Sequence, residues 1–187
     1  MKRSLILAAA ALAFATVPAL SATYTLDKDH THPSFEFSHM GISVWRGTFA
    51  RSSGRVTLDR EAHTGTVQVV VNTDSIDFAH KAMNEIAITA DWLNIEWHPT
   101  MNYQGTLRFQ GDTPVAVDGQ LTLLGITRAL VLKIDSFKCI QHPLFKKEVC
   151  GADAEGEFNR ADYGMKLYSD GEAGKIRLHI QVEALKD

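Results

Sequence analysis

The sequence predicts an all-β domain, either a sandwich or a barrel, with one helix between the strands. Apolar and polar residues alternate with a period of two along most of the chain after residue 22, which is typical of half-buried strands. Turn residues separate these segments at regular intervals, as in sandwiches and barrels. One stretch has helical spacing instead, and it lies between two groups of predicted strands.

The most regular predicted strand is Lys175–Glu183, where polar residues alternate with Ile, Leu and Val without exception. Such a strand exposes one face to water and buries the other. The other predicted strands lie, in chain order, at Tyr24–Leu26, Ser34–His39, Val44–Ala50, Gly54–Leu58, Thr66–Asn72, Met101–Phe109, Val115–Leu123, Ala129–Phe137 and Ala152–Phe158. Between them, pairs such as Asp170-Gly171 predict turns.

The stretch from Asp77 to Leu93 predicts the helix. Its apolar residues recur at spacings of three and four, without Gly or Pro, and Asp77 suits the N-cap. A single helix between strands has to bury its apolar stripe, so we expect it against a barrel mouth or a sheet face. The residues of the stripe are Ala79, Met83, Ile86, Ala90 and Leu93.

The first 21 residues are typical of a secretory signal. Lys2 and Arg3 precede an apolar run, and small residues at 19–21 suit cleavage. The sequence therefore predicts export with cleavage of this signal, and a mature domain over residues 22–187. Loss of this segment changes the net charge from −3 to −5, because Lys2 and Arg3 are its only charged residues. An acidic chain without a basic cluster argues against nucleic acid as a partner.

Export also predicts that the two cysteines, Cys139 and Cys150, form a disulfide. Pairing is the default for a short loop in an oxidising compartment. A reactive redox pair is disfavoured, because the close Cys-x-x-Cys spacing is absent.

Alternation along Ser34–His39 places Phe35, Phe37 and His39 on one face of a strand. Two interpretations stay open. His39 is either a core histidine hydrogen-bonded to backbone or water, or a polar group that orients a ligand in an apolar pocket. Further aromatic residues, which core packing also explains, are Trp45, Phe49, Phe109, Phe158 and Tyr163.

A metal site formed by His30, His32 and His39 is the alternative hypothesis, since imidazole is a common zinc ligand. Catalysis is disfavoured, because no motif places a nucleophile beside a base and no glycine loop cradles a phosphate. We therefore expect a binding protein without a resident cofactor rather than an enzyme.

Seven short motifs resemble the YceI-like family and occur in a consistent order from about residue 24 to residue 183. They are residues 30–41 (HTHPSFEFSHMG), 47–49 (GTF), 72–76 (NTDSI), 90–94 (ADWLN), 98–99 (HP), 119–127 (GQLTLLGIT) and 159–164 (NRADYG). Each motif is loose, but together they are specific.

The resemblance implies an extended antiparallel β-barrel, lipocalin-like in shape, with one helix near one end. It also implies a periplasmic or secreted protein whose interior holds a long isoprenoid or another amphiphilic lipid, and we expect the periplasm. Related domains occur beside b-type cytochromes, so the resemblance suggests a quinone as ligand and such a membrane-bound cytochrome as partner. Exposed strand edges would also allow a homodimer.

This chain departs from the family pattern in its predicted helix. Met83-Asn84 stands where we expect an Arg-Asp pair, 86–88 is apolar, and His98 replaces a Tyr. A more apolar helix favours a less polar ligand or a partner surface.

We assign the predicted ligand site to two groups of residues. The head group would contact His30, His39, Arg160 and Asp162, although Arg160 and Asp162 could instead pair with each other. The cavity wall would contain Phe35, Phe37, Phe49, Trp92 and Tyr163, although Trp92 could serve only to pack the helix.

Overall fold

The computed structural model describes residues 21–187, which contain eleven β-strands and one α-helix. The strands are β1 (Ala22–Leu26), β2 (His32–His39), β3 (Ser43–Phe49), β4 (Ser52–Asp59), β5 (Thr64–Asn72), β6 (Ile76–Asp77), β7 (Thr100–Gln110), β8 (Thr113–Leu123), β9 (Ile126–Gln141), β10 (Glu148–Asn159) and β11 (Lys175–Lys186). The helix α1 spans Lys81–Ala87. The signal predicted over 1–21 lies outside the described residues, apart from Ser21.

Eight antiparallel strands form a closed barrel in the order β1-β4-β5-β7-β8-β9-β10-β11. The last strand returns to the first, and Thr25 of β1 lies opposite Leu185 of β11. The barrel alternative of the sequence prediction is therefore confirmed. Every predicted strand is present, and most extend further than the alternation suggested.

The hairpin of β2 and β3 extends the wall at one end of the barrel. One edge of β11 pairs with β1 at residues 184–186 and with β2 at residues 177–181. This register places Phe35 opposite Leu178, and β6 then adds to the far edge of β3. We call this end, which also carries α1, the upper end of the barrel.

The helix is shorter than the sequence predicts. Asp77 belongs to β6, and its Oδ1 accepts hydrogen bonds from the Ala79 N–H and the Asn84 side chain. His80 is the N-cap, since its Nδ1 accepts from the Met83 N–H. After Ala87 the chain continues in turns to residue 98. The predicted boundaries, Asp77 and Leu93, are therefore wrong.

None of the described helices is long and apolar enough to cross a membrane.

The barrel interior contains a buried tyrosine, Tyr103, whose hydroxyl donates to the carbonyls of Val117 and Leu130. Its ring lies over Gly119, where a Cβ atom would collide with the hydroxyl. Glycine at this position therefore makes room for a large side chain inside the wall.

The lower end of the barrel contains the disulfide and a cluster of buried residues: Tyr24, Leu26, Leu58, Cys150 and Ala184. Cys139 and Cys150 lie directly opposite each other on β9 and β10 and are bonded, which confirms the predicted pair. The Tyr24 hydroxyl donates to Glu148, which also pairs with Arg60 at 2.8 Å.

Candidate functional site

Two apolar cavities lie inside the barrel. The upper cavity measures about 90 Å³ and the lower cavity about 120 Å³. No residue lines both. Along β8, Leu123 lines the upper cavity and Val117 the lower, while the buried Leu121 lies between them and lines neither. Leu130 of β9 is likewise buried and lines neither cavity, so the interior is hollow but divided.

Six aromatic side chains line the upper cavity, together with aliphatic residues and Arg160. Phe35 and Phe37 project inward from β2, and Phe49 from β3. Phe78, which follows β6, packs edge-on against Phe35 and Phe37 with ring centroids 5.4 and 6.2 Å away. This geometry is favourable for aromatic quadrupoles. Trp92 adds a further ring from the turns after α1.

The lower cavity is walled by inward-facing aliphatic residues from most of the barrel strands. Val67 and Val69 of β5 and Leu107 of β7 are examples, and Tyr103 also lines the cavity. No Asp, Glu, Lys, Arg or His of the described chain lines it. This lining favours an apolar group.

Arg160 is the one charged side chain that lines the upper cavity among residues 21–187. It begins a short 3-10 helix (Arg160–Tyr163) directly after β10, and only 4% of it is exposed. Nε donates to the Ala173 carbonyl at 3.3 Å and Nη2 to the Tyr168 carbonyl at 2.5 Å. The guanidinium carbon lies 4.7 Å from the centroid of the Trp92 ring, which gives a cation–π contact.

The Arg160 charge has no counter-ion in the described part of the chain. No carboxylate lies within ion-pair distance, and Nη1 has no hydrogen-bond partner. Asp162 is exposed, so the predicted alternative of an Arg160–Asp162 pair is wrong. Burial lowers the pKa of Arg160, but a guanidinium remains charged at neutral pH. A buried cation without a partner is costly, which makes this position unusual.

Five of the nine predicted ligand residues line the upper cavity. They are Phe35, Phe37, Phe49, Trp92 and Arg160. Trp92 therefore does more than pack the helix, because it also covers the face of Arg160.

The other four predicted ligand residues line neither cavity. His30 lies in an exposed loop, where a hydrogen bond to Asp27 at 2.8 Å raises its pKa. His39 lies at the outer end of β2 and stacks on Trp45 at 4.8 Å. Asp162 is exposed, and Tyr163 is buried behind the wall against Phe158, with ring centroids 5.1 Å apart. Alternation along β2 correctly placed Phe35 and Phe37 on the face that lines the upper cavity, but it could not show that the cavity ends before His39.

The predicted metal alternative is wrong, because the three histidines do not converge. His32 and His39 are at opposite ends of β2, separated by about 23 Å at 3.3 Å per residue. Within the described chain no group of three candidate ligands is close enough to hold an ion.

Sequence reasoning missed several wall residues. Met101 faces inward on β7 at a position that alternation does indicate. Phe78 and Met165 also line the upper cavity, but they lie outside strands and helices, so no periodicity marked them. The lower cavity was missed entirely, although the alternation of β5 and β7 points its residues inward.

A family model described as the YceI-like domain matches residues 24–184. The chain belongs to the YceI-like family. This YceI-like protein is 30% identical over 190 residues to "Protein YceI" of Escherichia coli O17:K52:H18, covering 100% of this chain and 99% of that protein. The family resemblance of the sequence motifs is thus confirmed.

Solved structures share the fold of this YceI-like protein. BcnA of Burkholderia cenocepacia superposes with a TM-score of 0.65 at 17% identity, covering 84% of this chain and 98% of BcnA. A polyisoprenoid binding domain from Saccharophagus degradans gives 0.63 at 13% identity, covering 89% of this chain and 99% of that domain. The predicted lipocalin-like barrel with one helix is confirmed.

Proposed function

We propose that this YceI-like protein binds a long apolar chain, such as an isoprenoid, inside its barrel and shields that chain from water. The observation that carries the proposal is the pair of apolar cavities within a closed barrel. The name of the Saccharophagus domain, which describes polyisoprenoid binding on the same fold, supports it. Binding rather than catalysis is the role that such an interior favours.

Burial of the chain supplies the affinity. Each methylene removed from water contributes about 0.8 kcal/mol, so ten buried methylenes give about 8 kcal/mol before association costs of at least about 4 kcal/mol. A chain longer than either cavity has to displace the side chains of Leu121 and Leu130. Tail burial of this kind hardly distinguishes one apolar chain from another.

The proposal places the protein in the periplasm after cleavage of its signal. The basic and apolar residues at the start of the chain support export, and the Cys139–Cys150 disulfide suits an oxidising compartment. A prenyl quinone as the lipid, a membrane-bound b-type cytochrome as partner and a homodimer stay predictions.

Native mass spectrometry of the protein purified from its own periplasm, followed by organic extraction, tests the proposal. We expect a co-purifying lipid at a ratio of one per chain, and uptake of prenyl compounds by the delipidated protein. Protein that carries no lipid and takes up no prenyl compound would refute it.

A charged residue in the wall provides the matched test. Phe37→Asp places a carboxylate on the wall of the upper cavity, whereas Phe145→Asp makes the same change at a side chain that is 60% exposed outside both cavities. We expect at least tenfold weaker lipid uptake for Phe37→Asp and unchanged uptake for Phe145→Asp. A folded Phe37→Asp variant with normal uptake would show that this wall does not contact the ligand.

A further inference from the structure

One nitrogen of the Arg160 guanidinium, Nη1, has no hydrogen-bond partner in the described residues. Trp92 covers a face of the group, and two of its three nitrogens donate to the carbonyls of Tyr168 and Ala173. The third nitrogen, Nη1, is buried without a partner, and the side chain lines the upper cavity. Both N–H groups of Nη1 thus lack a partner among residues 21–187, and they belong to a side chain that lines that cavity.

A purely structural role accounts for only part of this arrangement. The hydrogen bonds from Nε and Nη2 hold the loop that follows the 3-10 helix, and a neutral donor would serve that purpose without burying a charge. The rest of the wall is apolar, and among residues 21–187 no carboxylate oxygen lies within 4 Å of a guanidinium nitrogen of Arg160. Apart from the cation–π contact with Trp92, the charge therefore lacks a counter-ion.

We propose that Arg160 binds an oxyanion, the carboxylate or phosphate head group of an amphiphile whose tail fills the upper cavity. This inference rests on the proposed function, and it selects an acidic lipid over a neutral quinone. A quinone carbonyl would accept a hydrogen bond from Nη1 but would leave the charge uncompensated. An oxyanion does both, and hydrogen bonds between charged groups are the stronger kind.

Matched pairs of probes with the same tail test this proposal. The pairs are farnesyl phosphate with farnesol, and palmitate with hexadecanol, and their Kd values are measured on delipidated wild-type protein. We expect at least one acid to bind at least tenfold more tightly than its alcohol, with a preference that changes little as salt is raised, because a buried charge pair is screened weakly. The acid with the larger preference identifies the head group. Equal binding of acid and alcohol in both pairs would overturn the proposal.

Substitutions at Arg160 and at a control arginine test the assignment, although loss of the guanidinium also removes the hydrogen bonds to the Ala173 and Tyr168 carbonyls. Arg160→Met removes the charge, Arg160→Lys keeps it, and Arg128→Met removes an exposed arginine that has no ion pair in the described chain. We expect the acid preference to disappear in Arg160→Met, to persist at a reduced level in Arg160→Lys and to be unchanged in Arg128→Met. An undiminished preference in Arg160→Met would refute the assignment.

The outcomes of these binding measurements distinguish failure of the head-group assignment from failure of the proposed lipid-binding function. Alcohols that bind as tightly as acids would refute the head-group assignment and leave tail binding intact. Failure of all four probes to bind would refute the proposed function as well. If Arg160→Met does not fold, the comparison of acids with alcohols on the wild-type protein decides the question alone.

Discussion

Replacing Leu121 by alanine would join the two cavities, and the effect on stability can be worked from its position. Leu121 is 6% exposed and lies on β8 between residues that line the upper and lower cavities. Leu→Ala changes in packed cores cost about 2–5 kcal/mol, and we expect about 3 kcal/mol here. At about 2–4 °C per kcal/mol for a domain of this size, the Tm falls by roughly 6–12 °C.

Leu121→Ala should destabilise the protein, but it should strengthen the binding of long ligands relative to short ones. Two additional buried methylenes at about 0.8 kcal/mol each correspond to roughly tenfold tighter binding. We therefore expect the affinity ratio of an eight-isoprene prenol to farnesol, measured by tryptophan fluorescence, to rise about tenfold. Val149→Ala is the control, because Val149 is buried but lines neither cavity. A folded Leu121→Ala variant whose length preference matches that control would refute the reasoning that the cavities form one site.

Two further predictions concern the lower end of the barrel. Reduction of the Cys139–Cys150 bond should lower the free energy of unfolding by roughly 3 kcal/mol, measured by denaturant titration with and without reductant; an unchanged midpoint would contradict this. Burial raises the pKa of Glu148, but hydrogen bonds from Tyr24 and Arg60 lower it by more than burial raises it. The net effect is a pKa below the usual value. A carboxyl whose pKa is lower in the folded state than in the unfolded state stabilises the fold when the pH is above its unfolded-state pKa. This stabilisation is lost as the pH falls through its folded-state pKa. The stability advantage over Glu148→Gln, about 1 kcal/mol at pH 7, should therefore shrink below about pH 4; a constant difference down to pH 3 would refute it.

Strand positions were predictable because each barrel strand has one wet and one buried face. The alternation of Lys175–Glu183 is a direct result of that geometry, and the strand itself continues to Lys186, where Leu185 and Lys186 break the alternation. The helix was less predictable, because a period of three or four also occurs in consecutive turns. The positive φ of Ala79 and Asn94, and the capping by His80, depend on side-chain contacts that spacing does not encode.

The candidate site was predictable only where it lies on strands. Alternation placed Phe35 and Phe37 on the face that lines the upper cavity. The same rule placed His39 on that face, but the hairpin carries it to Trp45 at the outer end. Burial of Arg160 without a carboxylate depends on how the chain folds back between residues 160 and 174, which neither spacing nor composition reveals.

A crystal structure of the protein with the lipid that it carries from the periplasm is the most direct test of the central claim. We expect continuous ligand density through both cavities, with the Leu121 and Leu130 side chains displaced and an acidic head group at Nη1 of Arg160. Density for the lipid on the outer surface, with the upper and lower cavities empty and still divided, would contradict it.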